Sequence, residues 1–309
     1  MKLAKLITVL PVLVFFTETV LAADIYVDKN SANSEEDGSE ANPYHTLASA
    51  LVKTASNPEN NRQIYVKAGN YQEEITLPDN SILTGENKDT VIINRENLEG
   101  STVTAGKNSV IENVTIRGGN YGLTIPAYKK SVIRNCKIEE TKRIGIWIKH
   151  SNKLPDNGVE IWDSIIANNA RKGLYGESRY LYFLNNRFED NGEEGIDLRS
   201  KINGVLSNNI ISNNGEGGIE TEIRKVVLEI SGNTLSQNQS NGITLNNRTN
   251  VGGKVIIKNN TLSGNHKYGI RCAGSKNWTN KLWKKSVNNS HNSFSGNIKR
   301  DISKSCGRK

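Results

Sequence analysis

Asn186-Arg187-Phe188-Glu189-Asp190-Asn191-Gly192-Glu193-Glu194-Gly195-Ile196 is followed 23 residues later by Asn209-Ile210-Ile211-Ser212-Asn213-Asn214-Gly215-Glu216-Gly217-Gly218-Ile219. After 24 more comes Asn233-Thr234-Leu235-Ser236-Gln237-Asn238-Gln239-Ser240-Asn241-Gly242-Ile243. Each segment places an Asn two residues before an apolar residue, a second Asn three after it, and a Gly-aliphatic pair further on. Working outward, the Gly-aliphatic pair recurs from Gly122-Leu123 to Gly269-Ile270 in steps of 23, 28, 22, 23, 24 and 27 residues. The apolar landmark (Ile116, Ile138, Ile166, Phe188, Ile211, Leu235, Leu262, Phe294) lengthens and shortens its step in parallel, so the two series are one repeat.

The segments between are short and β-branched, as in Ile146-Trp147-Ile148 and Val255-Ile256-Ile257. Such strands cannot close a core within one repeat; they bury their inward side chains by stacking as parallel coils at about 4.8 Å per step. The expected fold is all-β, a right-handed parallel β-helix of about ten coils. Leucine-rich repeats need a Leu-dominated frame, and a propeller blade needs four strands per period. The two Asn columns (Asn186, Asn209, Asn233, Asn260, Asn292, and Asn169, Asn191, Asn214, Asn238, Asn265, Asn297) suit coil corners, because Asn tolerates left-handed backbone, and stacked amides form a ladder. Cys136 occupies the first column in its own coil, which predicts an inward, inert thiol.

Residues 1–22 run basic, apolar, small, from Lys2 through Leu6–Phe16 to Ala22, the order of a cleaved secretory signal. A secreted or periplasmic location is therefore expected, with no membrane-spanning segment once the signal is removed. One domain should fill residues 23–309, with a cap over 23–63, coils over 64–302 and a tail over 303–309. Thr46 to Ala55 spaces Leu47, Ala50, Leu51 and Ala55 on one helical face, a plug for the open end of the solenoid. Of the 3 cysteines, Cys272 and Cys306 are the expected bridge, tying the tail to the last coil. The net charge of +8 favours polyanions. Secretion, and the lack of a basic helix or a ribonucleoprotein-type aromatic motif, argue against nucleic acid.

Ile25-Tyr26-Val27-Asp28, Asn42-Pro43-Tyr44-His45-Thr46-Leu47 and Ile64-Tyr65-Val66-Lys67-Ala68-Gly69-Asn70-Tyr71 together resemble the opening of the pectin-lyase-like superfamily of secreted β-helices. The resemblance spans nearly the whole mature chain and implies the fold, not one chemistry: members are lyases, hydrolases, epimerases, esterases and adhesins. Gly69-Asn70-Tyr71-Gln72-Glu73 is similar to the Gly-x-Tyr-x-Glu opening of pectin methylesterases, whose later signatures are missing. The polygalacturonase motifs are missing too. Glu194-Gly195-Ile196-Asp197-Leu198-Arg199 keeps the Gly and Asp of the mannuronate epimerase segment and lacks its His.

With the aliphatic residue after each Gly inward, the next and third-next residues face outward. In the middle coils these are Trp147, Lys149, Tyr175, Glu177, Asp197, Arg199, Glu220 and Glu222. Uronate elimination or epimerisation needs a cation for the sugar carboxylate and a base for the proton beside it. Lys149, Tyr175, Asp197 and Arg199 are the candidate catalytic residues, and Trp147, Glu177, Trp278 and Trp283 the candidate substrate contacts. Asp197, Glu220 and Glu222 are candidate ligands for calcium. The expected function is binding, with lyase or epimerase modification, of an acidic polysaccharide or cell-wall glycan by a monomer. The alternative is a non-catalytic adhesion or scaffold protein, since alternating charges also keep an exposed parallel sheet soluble and in register.

Overall fold

The computed structural model describes residues 25–55, 63–95, 99–127, 130–150, 158–199, 201–248, 252–274 and 278–306. The expected signal segment lies outside them. The described residues form three parallel sheets of eleven, ten and ten strands. Each turn of the chain contributes one strand to each sheet, as Tyr180–Leu184, Arg187–Glu189 and Ile196–Leu198 do in one of the middle turns. Ile25–Val27 already pairs with Gln63–Val66 and begins the first sheet. No helix among the described residues is long and apolar enough to cross a membrane.

The core is a set of inward columns. On the second sheet Ile116, Ile138, Ile166, Phe188, Ile211 and Leu235 stack in register and are fully buried. Both Asn ladders form. Asn186 Nδ2 donates to Asn209 Oδ1 at 3.0 Å, and the series continues through Asn233 and Asn260 to Asn292. The second runs from Asn169 to Asn297 with Nδ2–Oδ1 distances of 2.9–3.0 Å. Each ladder amide also receives a backbone N–H and gives its second N–H to a carbonyl one coil back along the chain, so every polar atom is used. The left-handed corner residue is not the ladder Asn but the residue before it: Asn185 (φ 57°), Asn208 (φ 55°) and Asn213 (φ 57°) turn the chain so that the next Asn can point inward. Cys136 joins the ladder through its backbone N–H, which donates to Ser164 Oγ at 3.1 Å, and burial pushes its thiol up to about 12.

The Gly column marks close approach. A Cβ on Gly195 would sit 2.9 Å from both Asn214 Nδ2 and Ile211 Cγ2, so a side chain there would collide with the ladder and the core of the next coil.

The N-terminal end is closed by helix α1, Leu47–Ala55, which buries Leu47, Ala50 and Thr54, while Ala55 faces solvent. Its first two amides donate to the Glu73 carboxylate at 2.9 and 2.8 Å, so that carboxylate meets the positive end of the helix. Tyr71 donates to Lys67 O at 2.9 Å. The Tyr and Glu of the Gly69–Glu73 motif thus serve the cap. At the other end the Cys272–Cys306 disulfide and a 3-10 turn over Lys304–Cys306 fasten the tail. Helix α2, Asn280–Ser286, buries Trp283, which is 5% exposed.

Candidate functional site

The third sheet carries the charged face. Thr124, Trp147, Tyr175, Asp197, Glu220, Thr244 and Arg271 pair in register from coil to coil, as their spacing requires. Hydrogen bonds between successive turns define a second column two residues before each Gly, or before Asp301 in the last coil: Arg143, Arg171, Glu193, Glu216, Ser240, Lys267 and Lys299. Its charge runs basic, acidic, neutral, basic. Between the two columns Lys172, the first residue of the strand Lys172–Gly176, meets Glu194 of the next coil.

In the acidic stretch the charges close on one another. Asp197 Oδ2 accepts from Lys172 Nζ at 2.9 Å and from Arg199 at 2.7 Å. Lys172 also pairs with Glu194, and lies 3.3 Å from Glu193. The other arm of the Arg199 guanidinium is 3.3 Å from Glu220, whose carboxylate also accepts from Asn246 Nδ2 at 2.7 Å. Asp197 lies on the outer face by register, yet it is 0% exposed: its neighbours seal it, which corrects the expectation that it meets solvent. Burial raises the Asp197 carboxyl above its ordinary value despite the two cations, and burial together with Glu194 and Asp197 raises Glu220. For Glu194 burial pushes upward, but the hydrogen bond and charge of Lys172 outweigh it and hold the carboxyl low.

Asp197, Glu220 and Glu222 do not fit as a calcium site. The space between Asp197 and Glu220 is taken by Arg199, and Glu222 turns to Arg248 at 3.3 Å. Among the described residues no group of three or more His, Cys, Asp or Glu is arranged to hold a metal ion.

The concave part of this face lies toward the C-terminal coils. A polar groove of about 530 Å³ is walled by Glu194, Glu216 and Glu220 on one side and by Arg248, Lys267 and Arg271 on the other, with the neutral Ser240-Asn241 and Thr244 coil between. Gly215 and Gly217 keep the acidic wall low. Glu216 stands at the rim. Shielding by the groove wall, and then its hydrogen bond to Glu194, push its carboxyl up to about 6. Arg271 and Lys267 make no side-chain ion pair among the described residues, so two cations face Glu216 across the groove without a counter-charge.

Of the remaining expected site residues, Trp147, Lys149, Tyr175, Glu177 and Arg199 lie on the same face nearer the N-terminus and do not line the groove. Lys149 Nζ sits 4.7 Å from the centre of the Trp147 ring, which packs on Tyr121 at 4.5 Å. Arg199 lies 5.9 Å from the Tyr175 ring, and Glu177 is 3.3 Å from His150. Burial, then Glu177, raises the Tyr175 hydroxyl pKa. Trp278 donates from Nε1 to Ala273 O at 2.9 Å and packs on Trp283. Both rings cover the C-terminal core, and Trp283 is withdrawn from any sugar. Lys172, Glu216, Lys267 and Arg248 escape a reading confined to the strand after each Gly; the column two residues before it would have found Glu216 and Lys267.

The family model described as "Right handed beta helix region" matches residues 60–177, 103–252 and 155–305. Among solved structures the chain is similar to the Azotobacter vinelandii mannuronan C-5 epimerase AlgE4 A-module, at 14% identity and TM-score 0.51 over 90% of this chain and 97% of that one. It is similar to an alginate lyase from Paenibacillus sp. str. FPU-7, at 12% identity and TM-score 0.58 over 83% and 96% of the chains. The pectate lyase Pel9A is matched at 16% identity and TM-score 0.59 over 87% and 77%. Likeness at these identities is likeness of fold. No curated protein sequence matches the chain significantly.

Proposed function

This chain belongs to the right-handed β-helix family, and from that premise we propose that it binds an acidic polysaccharide on the outer face of the third sheet and removes the proton beside a uronate carboxylate in the C-terminal groove. The observation that carries the reading is the pair of unmatched cations, Lys267 and Arg271, facing Glu216 across one groove. The cations neutralise the sugar carboxylate, which makes the neighbouring proton more acidic. Glu216, with a pKa of about 6, is largely ionised at neutral pH and basic enough to accept that proton. Collapse of the resulting anion with loss of the adjoining glycosidic oxygen, which takes its proton from solvent water, is elimination; reprotonation of the carbon by solvent water from the other face is epimerisation. Tyr121, Trp147 and Tyr175 extend the face as rings for sugar stacking, with Lys149 and Arg199 beside them. The alginate epimerase, alginate lyase and pectate lyase among the similar structures support an acidic-glycan substrate and a location outside the cytoplasm.

A second reading is favoured by the closed Lys172, Asp197, Arg199 and Glu220 pairs: a scaffold face whose charges serve register and solubility alone. Incubation with alginate, polygalacturonate and glycosaminoglycans in D2O separates the two. Deuterium at the carbon bearing the carboxylate, or unsaturated uronate, is expected, and Glu216→Gln abolishes it. No deuterium and no unsaturation on any of the three overturns the chemistry and leaves the scaffold.

A further inference from the structure

The charge of this rod is concentrated at one end. Residues 254–309 hold thirteen Lys and Arg against a single acid, Asp301, whereas residues 1–253 hold 27 basic and 31 acidic residues. The described residues from 254 onward build the last two strands of each sheet, helix α2 and the 3-10 turn, and ten of the thirteen cations lie among them, at the C-terminal end. Lys281, Lys284, Lys285, Lys299, Arg300 and Lys304 are all exposed there, and among the described residues none of them makes an ion pair. Several cations nearer the N-terminus are paired, among them Arg95 with Glu74, Arg117 with Glu139, and Arg171 with Glu193. Unmatched like charges on one end repel one another and cost stability, so a counter-charge from outside is the natural partner.

We propose that this end is a second binding surface for an acidic glycan, separate from the groove and independent of whether the groove is catalytic. Three observations favour a linear polyanion. The cations occupy different sides of the end: Lys281, Lys284 and Lys285 on the helix packed at the first sheet, Lys299 and Arg300 at the turn into the third, and Lys304 in the tail over its last strands. A bendable chain reaches all three sides; a flat bilayer touches one. Trp283 is buried and Trp278 packs on it, so neither tryptophan is turned outward as an anchor at a lipid interface would be. The disulfide from Cys272 to Cys306 and the last sheet strands hold these positions fixed, which lowers the ordering cost of binding.

The test uses the full chain on immobilised polygalacturonate and alginate, with salt elution. The wild-type protein is expected to bind at about 0.1 M salt and to elute as the Debye length shrinks toward about 3 Å at 1 M. Lys284→Glu, Lys285→Glu and Lys304→Glu together should weaken binding at least tenfold. The control triple Lys107→Glu, Lys142→Glu and Lys225→Glu, with the same net charge change on exposed sites along the rod, should weaken it by less than twofold. Equal weakening by both triples, or no binding by the wild type, overturns the proposal. Tighter binding to vesicles of anionic lipid or to duplex DNA than to either glycan overturns it as well. Proton exchange in D2O reports on the groove and salt elution of the two triples reports on this end, so failure of the groove reading and failure of this one are read separately.

Discussion

Asn214→Ala tests the ladder that sets the register of every column in this molecule. The Asn214 amide is 0% exposed. Its Nδ2 donates to Asn238 Oδ1 at 2.9 Å and to Phe188 O at 3.0 Å, and its Oδ1 accepts from Asn191 N at 3.2 Å and Asn191 Nδ2 at 3.0 Å. Alanine removes four hydrogen bonds in a dry interior at a net of about 1 kcal/mol each, so the expected loss is about 4 kcal/mol. Asn297→Ala removes three bonds at the half-buried end of the same ladder, where water takes their place, and should cost about 1 kcal/mol. Urea unfolding followed by far-ultraviolet circular dichroism compares the two. Asn214→Asp adds a sign: a buried carboxyl with acceptors on the donor side is favoured protonated, so its folded pKa is raised. Stability of that variant is then greatest below about pH 4 and falls as pH rises. A difference below 1 kcal/mol between Asn214→Ala and Asn297→Ala would refute the claim that internal amides, rather than strand burial alone, fix the register.

Lys172→Met leaves Asp197 and Glu194 buried without their ammonium and should cost about 3 kcal/mol at pH 7, a deficit that shrinks below about pH 4 as the carboxylates take up protons; denaturant titration at both pH values measures it. Cys306→Ser opens a bridge spanning 34 residues and should cost about 3–4 kcal/mol, with the wild type losing the same amount on reduction. Arg179 is fully buried and donates to Pro126 O at 3.0 Å, with burial lowering its pKa to about 10, so Arg179→Met should destabilise by about 2 kcal/mol through orphaned carbonyls, seen as a lower thermal midpoint. Activity on a uronate polymer should rise with pH through about 6 and level off above it, because Glu216 must be ionised to act; a profile flat across that interval removes Glu216 as the base.

Period, ladders, inward thiol and disulfide are legible in the sequence because each is a column property: one residue type repeating at one place in the turn. The groove is not, because it depends on what a column lacks. Gly215, Gly217 and Ser240 read as turn residues, yet their small size opens the space that Glu216 and Lys267 border. Burial is also hidden. Asp197 alternates outward as expected, but its sealing by Lys172 comes from a residue 25 positions earlier, and strand alternation alone does not place the two together. The corner residue is displaced by one for a similar reason, since Asn-Asn pairs such as Asn185-Asn186 divide two tasks that one Asn was expected to perform.

Stacked coils impose a rule on charge. Two carboxylates one coil apart, about 4.8 Å, repel by about 3.5 kcal/mol at an effective dielectric near 20, so an acidic column persists only with cations inserted or protons retained. Lys172 and Arg199 serve Glu194, Asp197 and Glu220. Glu216 is followed in its column by Ser240, not by a cation, and its carboxyl is the one pushed up to about 6. Ser240→Lys places an ammonium between Glu216 and Lys267. Attraction to that charge favours the ionised carboxyl, so the Glu216 midpoint should fall toward the ordinary value near 4.3, by about one pH unit after solvent screening at this exposed rim. Carbon-detected NMR titration of the Glu216 carboxyl reads the shift without reference to any activity. A midpoint that stays near 6 in the Ser240→Lys protein would mean that the missing counter-charge is not what keeps Glu216 basic, and the groove would lose its physical claim to proton chemistry.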